Sequence, residues 1–109
     1  MGYFITLKKN SEYKKVYNSR RSAANKFFVI FTIKNSLMYS RFGFSVGKKV
    51  GNAVVRNRVR RVLKEVCRLN TEMFPIGYDY VILARKDAVT QNYQQNINHF
   101  GKIILKLFK

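Results

Sequence analysis

A chain of 109 residues with 22 Lys and Arg against 5 Asp and Glu, a net charge of +17, has the size of one small domain and repels itself strongly. Its hydrophobic fraction of 47% suffices for a core and excludes a disordered basic tail, while its single cysteine, Cys67, excludes an internal disulfide and a cysteine-built metal cage. The usual reason for a folded domain to keep such a charge is a polyanionic partner, either nucleic acid or an anionic membrane.

The apolar stretch from Tyr3 to Leu7 is too short for a signal-peptide core and has no small-residue cleavage site behind it. No segment approaches the ~18 unbroken apolar residues of a membrane span, so a cytoplasmic, reduced protein is expected. In residues 8–21, Ser11 is a fair helix cap with Glu12 in the first turn. Tyr13, Val16 and Tyr17 then share a helical face beside Lys14, Lys15, Arg20 and Arg21. Two readings stand: the tyrosines dock the helix on the core, or unpaired bases stack on them. Residues 27–33, Phe-Phe-Val-Ile-Phe-Thr-Ile, predict a strand covered on both faces, with Phe28 and Ile30 pointing one way and Val29, Phe31 and Ile33 the other. Asn35-Ser36 suits a turn. Residues 38–46 alternate, with Phe42, Phe44 and Val46 on one face and Arg41, Gly43 and Ser45 on the other, which predicts a hairpin with the preceding strand.

The stretch 45–70 reads as a basic loop feeding a basic, two-faced helix. Gly43, Gly47 and Gly51 suit tight turns, and Asn52 can cap the helix. Val55, Val59, Val62 and Val66, flanked by Leu63 and Leu69, fall within an arc of about 120°. Arg56, Arg60, Arg61, Lys64 and Arg68 fall in another arc, about 140° wide, with Asn57 in its middle. Glu65 is the only acid in the helix. Ordinary helix surfaces mix signs, because like charges one turn apart cost a few tenths of a kcal/mol per pair. A polyanion turns that cost into binding energy, and the planar fork of arginine suits phosphate.

Pro75 and Gly77 mark a stop and a loop after the helix, and Tyr78 to Ala84 predicts another strand. Thr90 can cap a last helix carrying Tyr93, Ile97, Phe100, Ile104 and Leu107, with Ile103 and Phe108 widening the stripe; Gly101 weakens it by up to ~1 kcal/mol. The order is helix, strand, strand, helix, strand, helix: an α/β two-layer sandwich, α-β-β-α-β-α, with residues 1–109 forming one domain.

No hydrolytic site can be assembled. The acids Glu12, Glu65, Glu72, Asp79 and Asp87 are scattered, and His99, the only histidine, reads as an exposed residue on the polar side of the last helix. Cys67 reads as a space-filler on a helix flank. No metal-ligand spacing, catalytic triad or phosphate loop is present, so the chain reads as a binding module.

The run Lys48-Lys49-Val50-Gly51-Asn52-Ala53-Val54-Val55-Arg56-Asn57-Arg58-Val59-Arg60-Arg61-Val62-Leu63-Lys64 strongly resembles the signature of the bacterial ribonuclease P protein subunit. Asn10 to Tyr13 with Val16-Tyr17, Ala24 to Phe28, and Tyr78 to Arg85 resemble the family's first helix, first strand and later strand. Two positions depart: Gly47 stands where serine is common and Lys64 where arginine is common, and lysine acts as a point charge there. The resemblance implies an α/β sandwich with a left-handed βαβ crossover, in a ribonucleoprotein that removes the 5′ leader from precursor tRNA. It implies that a large RNA cleaves with Mg²⁺, that the protein binds no cofactor of its own, and that its partners are this catalytic RNA and the leader, with no obligate protein partner. The RNA-binding set is then Lys48, Lys49, Asn52, Arg56, Asn57, Arg58, Arg60, Arg61, Lys64 and Arg68. The leader cleft is Tyr13 and Tyr17 with Val29 and Phe31, Ser22 and Asn25 nearby, and Arg60 and Lys64 at its border. The rival readings are an RNA-binding protein of another kind, such as a ribosomal protein or RNA chaperone, a membrane-surface protein using its basic helix, and, least supported, an autonomous nuclease.

Overall fold

The computed structural model describes residues 4–109, so Tyr3, at the start of the first apolar stretch, lies outside the described residues. The architecture is set by β5 (Tyr78–Ala84), whose Tyr80, Val81 and Ile82 are fully buried. A strand apolar on both faces needs cover above and below, and its backbone groups need partners on both sides. It takes the middle of a five-stranded sheet ordered β1 (Ile5–Thr6), β4 (Arg41–Val46), β5, β3 (Phe28–Lys34), β2 (Ser22–Ala24). β3 (Phe28–Lys34) pairs with it antiparallel and β4 (Arg41–Val46) pairs with it parallel.

The hairpin expected between residues 27–33 and 38–46 therefore does not form, because β5 lies between those two strands. The connection between them crosses the start of β5 instead, where Asn35 N–H donates to Gly77 C=O at 2.9 Å and the Ser40 hydroxyl donates to Pro75 C=O at 3.1 Å. Gly77 sits at φ +90°, a backbone conformation that suits glycine. Two edge strands complete the sheet, β1 (Ile5–Thr6) parallel to β4 and β2 (Ser22–Ala24) antiparallel to β3. With two and three residues, neither is long enough to show an alternation in the sequence.

α2 (Ala53–Leu69) joins β4 to β5 as the helix of a parallel βαβ unit and packs on β4; α3 (Tyr93–Leu107) packs on β2 and β3. Both cover one face of the sheet. Phe28, Ile30, Phe42, Val46, Tyr80 and Ile82 meet Val59, Leu63, Val66 and Cys67 of α2 and Phe100, Ile103, Ile104 and Leu107 of α3. Cys67 is wholly inside, and burial pushes its thiol well above its ordinary pKa, leaving a small inert filler. α1 (Asn10–Asn18) lies on the other face, over a smaller cluster of Leu7, Val16 and Val81 edged by Tyr13, Tyr17, Phe31 and Ile33. The α/β sandwich stands, with α1 laid across its second face.

The helix starts show which side chains win. Asn52 accepts from Val55 N–H at 3.0 Å, as expected. α1 begins at Asn10 rather than after Ser11, because Glu12 Oε1 reaches back to two backbone donors, Lys8 N at 2.8 Å and Lys9 N at 2.9 Å. α3 is capped by Asn92, which accepts from Gln95 N while Gln95 Oε1 accepts from Asn92 N, both at 2.9 Å. Thr90 belongs to a 3₁₀ turn (Lys86–Thr90), where its hydroxyl donates to Asp87 C=O. A reciprocal box satisfies two orphan donors where a lone threonine satisfies one.

α1 is tied down by Arg41. Its Nε and Nη2 reach Asp79 Oδ1 and Oδ2 at 2.9 and 2.6 Å, and its Nη1 reaches Glu12 Oε2 at 3.0 Å. The backbone donors of Lys9 and Lys8, and then Arg41, hold the Glu12 carboxyl below its usual range. Asp79 is 3% exposed, so losing its partner strands a charge inside the protein. Arg41→Ala is expected to cost about 2 kcal/mol, less than a fully buried pair because the guanidinium is 25% exposed. Urea unfolding of the variant checks this, as a lowered midpoint with unchanged slope.

Candidate nucleic-acid interface

α2 buries Val59, Leu63, Val66 and Cys67 and half-buries Val55 and Val62, which leaves the other side of the helix to its cations. Of the 22 Lys and Arg, only Arg41 and Arg68 have a carboxylate within 4 Å, leaving 20 uncompensated among the described residues. Arg56, Arg58, Arg60, Arg61 and Lys64 are all in that group. Asn57, in the middle of the stripe, accepts from Arg60 Nη1 at 2.8 Å and so steers that guanidinium without neutralising it. Arg68 differs: its Nε and Nη2 lie 2.7 and 2.5 Å from Glu65 Oε1, and its charge is locally balanced. Lys48 and Lys49 are exposed on a 3₁₀ turn (Lys48–Val50) that is anchored by buried Val50. The turn runs into the helix at Gly51, where a Cβ would stand 2.7 Å from Val55 Cγ1. The side-chain oxygen of Asn52 is committed to the cap.

On the opposite face, α1 runs crosswise over the strands. Glu12 sits at β4 through Arg41, Val16 sits over Val81 of β5, Tyr17 meets Phe31 of β3 edge-on at 4.9 Å, and the Ser19 hydroxyl donates to Thr32 C=O. Tyr13 lies flat on Gly43, where a Cβ would come within 2.7 Å of its ring, and its hydroxyl accepts from Phe44 N–H at 3.3 Å. Gly43 is thus not a turn residue. A glycine inside an alternating strand marks a close approach, and that signal was present in the sequence.

The strand register sets Gly43, Val81, Phe31 and Ser22 in one row on this face. α1 lies along that row. The next row, Ser45, Leu83, Val29 and Ala24, is half-buried and lies beside the helix. The structure thus brings Tyr13, Tyr17 and Phe31 together, with Val29 in the next row and exposed Ser22 at the β2 end. Arg60 and Lys64 stand on the layer across the sheet, and neither makes a hydrogen bond or ion pair with any of these residues.

Asn25 has a structural task. Its Oδ1 accepts from Phe27 N at 2.8 Å and Phe28 N at 2.9 Å, which closes the turn between β2 and β3. Its Nδ2 therefore faces His99 Nδ1 at 3.1 Å and donates to it. Gln91 Nε2 donates to the Thr90 hydroxyl, so Gln91 Oε1, 2.7 Å from His99 Nε2, accepts. Both amides demand the neutral imidazole protonated on Nε2. His99 is not a plain surface residue: it is half-buried with its ring 4.6 Å from that of Phe27. Burial first, and the Lys102 ammonium second, lower its pKa.

The family model described as ribonuclease P matches residues 1–107. The ribonuclease P protein component of Natranaerobius thermophilus is 45% identical over 106 residues, 97% of this chain and 92% of that protein. That of Clostridioides difficile is 49% identical over 100 residues, 88% of each chain. Among solved structures, the Staphylococcus aureus RNase P protein superposes with a TM-score of 0.83 at 31% identity, covering 98% of this chain and all of that one. The Thermotoga maritima RNase P protein gives 0.85 at 25% identity, covering 95% and 98%.

The neutral His99 has a consequence for acid stability. A histidine whose folded pKa is depressed favours folding fully above its unfolded pKa of about 6.5, and that contribution is lost as pH falls through the folded value. Unfolding free energy is expected to decline from pH 7.5 to pH 5.5, and His99→Gln should flatten the slope in that window. Urea titrations of both proteins across the window check it.

Proposed function

The chain belongs to the ribonuclease P protein family, and from that premise we propose that α2 docks on the catalytic RNA of this ribonucleoprotein while the cleft beside α1 holds the single-stranded 5′ leader of precursor tRNA. The observation that carries the reading is the α2 face, where Arg56, Arg58, Arg60, Arg61 and Lys64 lack any carboxylate partner among the described residues. Such a face gains by displacing counterions from a phosphate backbone. A ribosomal protein or RNA chaperone would share this charge, but the family match favours the ribonuclease P assembly.

In this reading two RNA backbones approach each other near the scissile bond, and a protein of net charge +17 between them offsets their repulsion. Tyr17 and Phe31 offer ring faces and edges to bases of any sequence, since every base has a stacking face. The protein's residues do not suit a Mg²⁺ cage: three of its five acids are paired with arginine, and no group of three candidate ligands converges among the described residues. Hydrolysis with Mg²⁺ is assigned to the RNA partner, and this chain binds, orients and neutralises.

Arg56→Ala and Arg58→Ala are each expected to weaken binding to a bacterial ribonuclease P RNA and to flatten the salt dependence by about one phosphate contact. Filter binding over a salt series measures this, and slopes unchanged in both variants would remove α2 from the interface. Tyr17→Ala should lower the holoenzyme's affinity for leader-bearing precursor by ~1–3 kcal/mol and leave mature tRNA unaffected. Equal weakening of the two substrates would place the leader elsewhere.

A further inference from the structure

The cleft does not end in neutral surface. Its floor runs across the strands from Ser45 on β4 to Ala24 on β2, a span of three strand spacings or about 14 Å. At 3.4 Å per phosphate along a stacked strand, that accommodates about four phosphates. At the β2 end, two cations are fixed in place by backbone carbonyls. Lys106 of α3 reaches round the sheet edge to donate to Ala24 C=O at 3.1 Å, and Arg85 donates to Asn25 C=O at 3.2 Å. Lys26 follows Ala24 and Asn25 in the chain and is exposed, its ammonium 5.8 Å from the centre of the Phe27 ring. Lys102 lies one turn before Lys106 on α3, close enough to His99 to depress its pKa. None of the four has a carboxylate partner among the described residues.

This cluster is separate from the basic face of α2. α2 packs on β4, near one edge of the sheet, whereas α3 and these cations lie at the other. We propose that the β2–α3 edge is an exit platform for the leader, where Lys26, Arg85, Lys102 and Lys106 take the phosphates of nucleotides that have already passed beyond the cleft. The inference rests on the leader-binding reading and extends it. With the catalytic RNA on α2, the scissile end of the leader lies toward β4 and its distal end leaves over β2. The platform contacts backbone, so it adds affinity with leader length and salt dependence without sequence preference. Lysines on an edge strand also discourage strand pairing between molecules, and a purely protective role predicts no dependence on leader length.

The test uses holoenzyme reconstituted with a bacterial ribonuclease P RNA and three substrates: precursors with leaders of about four and about twelve nucleotides, and mature tRNA. The variant is Lys26→Ala with Lys102→Ala, two exposed side chains that make no hydrogen bond among the described residues. Its affinity for the long-leader precursor should fall several-fold, with the salt slope reduced by about 1.4 for two lost contacts to a single strand. Affinity for the short-leader precursor should not change, and Lys26→Arg with Lys102→Arg should restore long-leader binding. Equal losses on all substrates, or no loss on the long leader, overturn the platform. If the unmodified holoenzyme fails to prefer the short-leader precursor over mature tRNA, the cleft reading itself fails, and the platform with it.

Discussion

Where so few acids stand decides where this protein is positive. Glu12 and Asp79 both converge on Arg41, and Glu65 pairs with Arg68 one turn away. The first arrangement joins the start of α1 to the central strand through β4; the second quiets the last turn of α2. Everything else on α2 is left unopposed, as is the edge formed by β2 and α3. Repulsion between neighbouring cations weakens the isolated helix by a few tenths of a kcal/mol per pair, an amount that a core joining α2, α3 and the sheet readily offsets. The same repulsion is relieved when a phosphate backbone arrives, so the field serves binding and opposes nothing that the core cannot hold.

The two faces of the sheet are finished to different degrees. α2 and α3 close one of them over a continuous core. Among the described residues the other carries α1 alone, nine residues long, which packs Val16 against Leu7 and Val81 with Tyr13 and Tyr17 at the margin. Such a helix owes little to its own propensity and much to its anchors. Glu12 fixes its start through Arg41, the Ser19 hydroxyl ties its end to Thr32 C=O, and Tyr13 sits on the bare backbone of Gly43. The half-buried row from Ser45 to Ala24 stays open because α1 is too narrow to cover two rows. An apolar and aromatic ledge of this kind is where an unpaired base gains most by leaving water.

Periodicity in the sequence exposed the elements whose apolar pattern is long: the strands around Phe28 to Ile33 and Tyr78 to Ala84, the two-faced helix after Asn52, and the last helix. It failed where structure depends on partners far along the chain. Strands 27–33 and 38–46 are neighbours in sequence and look like a hairpin, but the sheet assigns its central place to the strand with most to bury, and that is β5. β1 and β2 have no pattern to read. His99 has an ordinary polar environment in sequence, and only the fold brings Asn25 and Gln91 to its two nitrogens. The basic face was legible from the spacing of Arg56, Arg60 and Lys64. The cleft residues came from the family resemblance, because Tyr13 and Tyr17 at helical spacing are equally what a buried stripe looks like.

The sheet separates the α2 face from the α1 face, and β4 contributes side chains to both. Phe42 and Val46 of this strand face the core shared with α2, while Arg41, Gly43 and Ser45 face α1 and the cleft. A displacement of α2 would reach the α1 face through β4, a single strand whose partner, β5, is held on both sides and on both faces. β5 is therefore the best-supported strand of the sheet. β1 pairs with β4 over two residues, whereas β5 pairs with it over six, so β4 is held more firmly on its inner side than on its outer one. The Arg41 cluster sits at the start of β4, where it ties α1 to the strand on which α2 packs.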